Sequence, residues 1–131
     1  MTLAHACVLV ACLLPFFCAL LAKRGGMGKR RSEGGFDNHN PRAWLANQQG
    51  AAARANAAQQ NSFEGLPLFI AGVLIAQQAG VSPALVNGLA IGYVACRLAY
   101  ITAYLADAAP VRSLFWAAGV GCCIALFIAA F

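Results

Sequence analysis

The chain has 131 residues, of which 61% are hydrophobic and 10% charged, and its formal net charge is +5. With a mean hydropathy of +0.68, that composition excludes an ordinary soluble domain, which needs far more polar surface to meet water. The apolar residues gather into stretches of about 20, the length a helix needs to cross a hydrocarbon layer about 30 Å thick, so 1–131 reads as a single all-α domain, an integral membrane four-helix bundle.

The first segment, about 2–22, is apolar and is followed by Lys23 and Arg24. A secretory signal peptide carries its basic residues ahead of the apolar run, so this segment reads as a retained helix. Residues 23–40, "KRGGMGKRRSEGGFDNHN", are rich in glycine and charge and read as a mobile loop with little structure of its own. The loop holds Lys23, Arg24, Lys29, Arg30 and Arg31, five of the nine basic residues, with Arg42 and Arg54 a little further on. By the positive-inside rule it is cytoplasmic, and both termini then lie on the opposite side. At a membrane surface, such a cluster implies contact with anionic lipid headgroups and not with nucleic acid.

Asn40 followed by Pro41 signals a helix start, an N-cap side chain and then a residue whose missing N–H costs nothing at the first helical position. A short interfacial helix carrying Trp44 and Leu45 is expected there, ending at Gly50. The second membrane segment, about 51–79, has a polar entry and becomes apolar from Phe63. The uncharged connection "QQAGVSPALVN" leads into the third segment, about 83–105. A short turn around Asp107 to Arg112 leads into the fourth, about 111–131.

All six cysteines (Cys7, Cys12, Cys18, Cys96, Cys122 and Cys123) fall inside these segments, without CxxC spacing and without histidines beside them. The pattern argues against a disulfide framework and against a zinc site, and it leaves small, soft packing residues. His5 and His39 are isolated and receive no role.

Polar residues recur at one depth of three segments. On the second, Arg54, Asn61 and Glu64 are spaced seven and three apart and share one face, with Pro67 three residues beyond Glu64 able to kink the helix. On the third, Arg97, Tyr100 and Tyr104 fall at i, i+3 and i+7, again one stripe. Arg112, Ser113 and Trp116 open the fourth on the same side. An ionised side chain inside a membrane costs at least a few kcal/mol unless it is paired or hydrated. Glu64 and Arg97 are therefore expected close together or in a wet cleft. Arginines, an acid, an asparagine and tyrosines between apolar walls suit a pair of ligands, one small and anionic, the other lipophilic.

The chain resembles the MAPEG family, the membrane-associated proteins in eicosanoid and glutathione metabolism, in its small bacterial form. "NSFEGLPLF" is similar to the family's N-x-x-E followed by a proline-aromatic run, "RLAYITAY" to R-x-x-[HY]-x-x-x-Y, and "VRSLFW" to the start of the fourth helix. The resemblance implies a homotrimer with glutathione as co-substrate between neighbouring subunits on the cytoplasmic side, and with the charge pattern this gives a bacterial inner-membrane protein with both termini periplasmic. It implies transferase or peroxidase chemistry on a lipophilic electrophile. On matching positions Asn61, Glu64, Arg97, Tyr100 and Tyr104 would hold the tripeptide, with Arg54 as a further candidate, and Arg112 would activate the thiol. Two positions depart from the family pattern. Ala57 stands where an arginine is usual, and Trp116 where an aromatic hydroxyl is expected. The alternative from another class is a non-catalytic protein of this fold that binds lipid or a membrane partner.

Overall fold

The computed structural model describes residues 2–131, and the regular elements among them are helices, with α1 (Leu3–Lys23), α2 (Pro41–Ala46), α3 (Gly50–Gln78), α4 (Pro83–Leu105) and α5 (Ala109–Ala129). Local chemistry sets each start. Thr2 caps α1 in a reciprocal box with His5, which gives a role to a histidine that the sequence left without one. The Ser82 hydroxyl accepts from the Leu85 N–H at the start of α4, and prolines occupy the first turns of α2, α4 and α5. Asn40 precedes α2 without making the expected side-chain cap. Gly50 does not close α2; with φ near 60° it opens α3, a backbone geometry that glycine adopts without strain.

The four long helices pack side by side, and polar ties at the two ends fix their directions. At one end the Ala4 N–H donates to Asn87 Oδ1 at 2.9 Å and Gln77 Nε2 donates to Thr2 Oγ1 at 2.9 Å. At the other, Arg54 Nε donates to the Leu105 carbonyl at 3.3 Å. Successive long helices therefore run antiparallel. The core between them is built largely from small residues, including Ala4, Ala11, Ala76 and Ala90, with Phe69, Val73, Val86 and Leu126 filling the wider gaps. Small side chains let helix backbones approach, which is how helices gain contact where lipid removes the hydrophobic drive for association. Cys7, Cys18 and Cys123 are buried in this packing.

Three of the helices, α1, α4 and α5, are long and apolar enough to cross a membrane. α3 is longer still, its 29 residues extending about 43 Å at 1.5 Å per residue, but its first half carries Arg54, Asn56, Gln59, Gln60, Asn61 and Glu64. Pro67 is accommodated within it without ending it.

The basic loop departs from expectation, because it is folded. A 3-10 turn spans Arg31–Glu33, the Phe36 N–H donates to the Gly26 carbonyl at 2.9 Å, and the Gly35 N–H to the Arg30 carbonyl at 2.9 Å. Phe36 meets Trp44 of α2 edge to face at 5.3 Å, with the Lys23 ammonium 4.8 Å from the Phe36 ring. Gly26 lies so close under the Trp44 ring that any Cβ would collide with it. Arg31 pairs with Asp37 at 2.7 Å. Desolvation pushes the Asp37 carboxyl up, but the His39 N–H and the Arg31 guanidinium outweigh it and hold the group below its ordinary range. Composition reads this stretch as a loop with little structure of its own; a 3-10 turn, an aromatic contact and one ion pair stand there.

A polar cavity between the third, fourth and fifth helices

Arg97 is the hub. Its side chain projects from the middle third of α4 toward α3 and is only 5% exposed. Nη1 donates to Asn61 Oδ1 at 3.0 Å and Nη2 to Ser62 Oγ at 3.0 Å, while the Ser62 hydroxyl donates back to the Ala58 carbonyl at 2.7 Å. Asn61 in turn donates from Nδ2 to Glu64 Oε2 at 3.3 Å. Glu64 and Arg97, expected close together or in a wet cleft, are joined by a relay, with the Asn61 amide standing between them and using one end for each. Arg97 Nε is buried without a partner, and among the described residues no carboxylate lies within ion-pair distance of this guanidinium.

A cavity of about 380 Å³ opens beside the relay. Asn61, Glu64, Gly65 and Leu68 of α3, Tyr93 and Arg97 of α4, and Trp116, Gly119, Val120 and Cys123 of α5 line it. Polar groups cluster at one end and apolar ones at the other. The volume suits a small ligand, and the lining offers a cation, a carboxylate and an amide beside a lipid-like wall.

The remaining sequence candidates lie outside the cavity. Tyr100 stacks under Arg97, whose guanidinium carbon is 4.2 Å from the ring centre, and meets Tyr104 edge to face at 5.5 Å. Arg112 then lies 4.3 Å over the Tyr104 ring. Arg97, Tyr100, Tyr104 and Arg112 thus form one row, two rings in contact with a cation over each, which leads from the cavity to the start of α5. Arg54 stands apart. It is held by the Leu105 carbonyl and, at 3.8 Å, by Asp107 in the turn between α4 and α5. It shares a face of α3 with Asn61, as its spacing implied, but seven residues of helix carry it about 10 Å along the axis.

Two polar residues beside Arg97 were not anticipated, Ser62, which bonds it, and Tyr93, which lines the cavity. Ser62 directly follows Asn61 and fills the second acceptor position for Arg97. Tyr93 sits four residues before Arg97, on the same stripe of α4, so extending the periodicity one turn back would have found it.

The chain as a whole matches one family description, the MAPEG family, over residues 3–131. It belongs to the MAPEG family. No curated protein and no solved structure is similar enough to match it. The MAPEG family is generally associated with glutathione, and this MAPEG chain, with its long apolar helices, is a membrane protein of that family. Of the motifs that carried the resemblance, the N-x-x-E pair on α3 and Arg97 of the arginine-tyrosine stripe on α4 line one cavity, whereas Tyr100 and Tyr104 lie outside it.

Proposed function

We propose that this MAPEG protein is a glutathione-dependent transferase or peroxidase acting on a lipophilic electrophile, in the inner membrane of a bacterium, as a homotrimer with both termini periplasmic and the site on the cytoplasmic side. The observation that carries the reading is Arg97, a buried guanidinium with no carboxylate partner among the described residues and a buried Nε without a hydrogen-bond partner. A charge so placed is costly unless an anion meets it. Glutathione has the complementary groups: carboxylates for Arg97, an amine for Glu64, and amide groups for Asn61. Its thiol supplies the nucleophile.

The chain's own residues would divide the work. Asn61 aligns the guanidinium and the carboxylate through its two amide ends, so neither has to be reoriented when the ligand arrives. Tyr100 and Tyr104 hold Arg97 and Arg112 in a fixed row. Arg112, a permanent cation at the N-terminal turn of α5, favours a thiolate over a thiol near it. Glu64 is exposed on the surface of the single chain, at a depth where lipid would otherwise surround it. A neighbouring copy covering that face relieves the cost, which supports the trimer. Leu68, Val120 and Trp116 form the apolar wall for the second substrate.

Titration of detergent-solubilised protein with glutathione, with native mass measurement alongside, tests the proposal. Saturable binding by a trimer supports it, and a monomer without glutathione affinity overturns it. The second reading, a non-catalytic member that binds lipid, is favoured by one observation, that Arg112 is turned onto Tyr104 and does not line the cavity; binding of glutathione without turnover of any electrophile would select it.

A further inference from the structure

Tyr93 is the deepest hydroxyl of the cavity. It lies at the centre of α4, ten residues from Pro83, one turn further in than Arg97. The side chain is 3% exposed, and its ring stacks on Phe69 with centroids 3.9 Å apart and planes 13° from parallel, so the direction of the C–O bond is set by packing. The hydroxyl reaches across to α3 at Gly65, where an added Cβ would lie 2.8 Å from it. Gly65 therefore makes the room that the oxygen occupies in the cavity wall. Leu68, Gly119 and Val120 line the cavity with it, and among the described residues the hydroxyl makes no hydrogen bond. A hydroxyl without a partner at mid-membrane depth is unfavourable, and phenylalanine would complete the same stack without that cost. The missing partner belongs to whatever fills the cavity.

We propose that Tyr93 is a catalytic hydrogen-bond and proton donor to an oxygen atom of the lipophilic substrate, acting where that substrate is an epoxide or an α,β-unsaturated carbonyl. This rests on the glutathione reading given above. In epoxide opening, the glutathione sulfur forms a bond to carbon while the C–O bond breaks and its electron pair moves onto oxygen. The Tyr93 proton passes to that oxygen, and the phenolate recovers the proton that the thiol released, so the protein ends unchanged. For the unsaturated carbonyl, the same proton meets the charge that develops on the carbonyl oxygen.

The full chain in mild detergent, saturated with glutathione, is assayed on two substrates of matched hydrophobicity, an aryl epoxide and a 1-iodoalkane. The iodide leaves without needing a proton and has no oxygen to receive one. Tyr93→Phe keeps the ring and its stack; the ratio of epoxide to iodoalkane kcat should fall about 100-fold, the scale of losing one donor to a developing oxyanion, with the fall in kcat and not in KM. Gly65→Ala, which pushes the hydroxyl from its place, should shift the ratio in the same direction. An unchanged ratio in both variants, or a wild type that conjugates the iodoalkane but not the epoxide, overturns the inference while leaving the glutathione reading standing. A wild type that does not bind glutathione overturns both.

Discussion

Replacing Arg97 by methionine separates a residue kept for binding from one kept for folding. The substitution removes two hydrogen bonds, to Asn61 and Ser62 at 3.0 Å each, and the contact with the Tyr100 ring at 4.2 Å. Hydrogen bonds between membrane helices average about 0.6 kcal/mol, and a cation over an aromatic ring adds about 1 kcal/mol, so about 2 kcal/mol is lost. Against this, an arginine at the centre of a membrane helix costs about 2.5–3.5 kcal/mol on the insertion scale, which methionine avoids. The two nearly cancel. Arg97→Met should therefore melt within a few degrees of the wild type, whereas an anionic ligand loses its buried counter-charge, at about 2–5 kcal/mol, equivalent to at least about 30-fold in affinity. Arg97→Lys, which keeps a charge but cannot serve both acceptors at once, should fall between. Titration calorimetry with glutathione and a thermal melt are the two measurements. A methionine variant that binds glutathione as the wild type does, while melting far below it, would refute the reasoning.

Glu64→Gln keeps an acceptor for Asn61 but removes the charge offered to an amine; glutathione affinity should fall by about 10-fold or more with little change in melting, and calorimetry decides it. Arg112→Ala should abolish most of the thiolate ultraviolet absorbance of bound glutathione at neutral pH and leave the oligomer intact, with Arg112→Lys retaining part of it; a full thiolate signal in the alanine variant would make Arg112 a topology charge only. Gly26→Val should expel the Trp44 ring and open the basic loop, so trypsin should cut after Lys29, Arg30 or Arg31 several-fold faster. Loop protection should also depend on pH. The Asp37 carboxyl is held below its ordinary value in the folded loop, so its contribution is present above about pH 4 and is lost as the pH falls through the folded-state value; protection from an acid-active protease that is equal at pH 3 and pH 6 would count against the Arg31–Asp37 tie.

The sequence by itself determined the class of the molecule and which of its polar residues share a helix face. Stretches of about 20 apolar residues leave a chain little choice but membrane helices, because each helix satisfies its own backbone hydrogen bonds. Spacing also placed Asn61 with Glu64 and Arg97 with Tyr100 and Tyr104, because helical periodicity decides which side chains share a face. Periodicity says nothing about how two helices are rotated against each other or how far a long side chain reaches. Tertiary structure alone decided that Asn61 stands between Glu64 and Arg97, that Arg54 turns to the Leu105 carbonyl, and that Arg112 lies on Tyr104. It also brought Gly65 opposite Tyr93, a pairing of residues 28 positions apart on different helices, and seated Phe36 against Trp44 to order a loop whose composition reads as mobile. Each of these depends on contact between segments remote in the chain, and such contacts are set by packing.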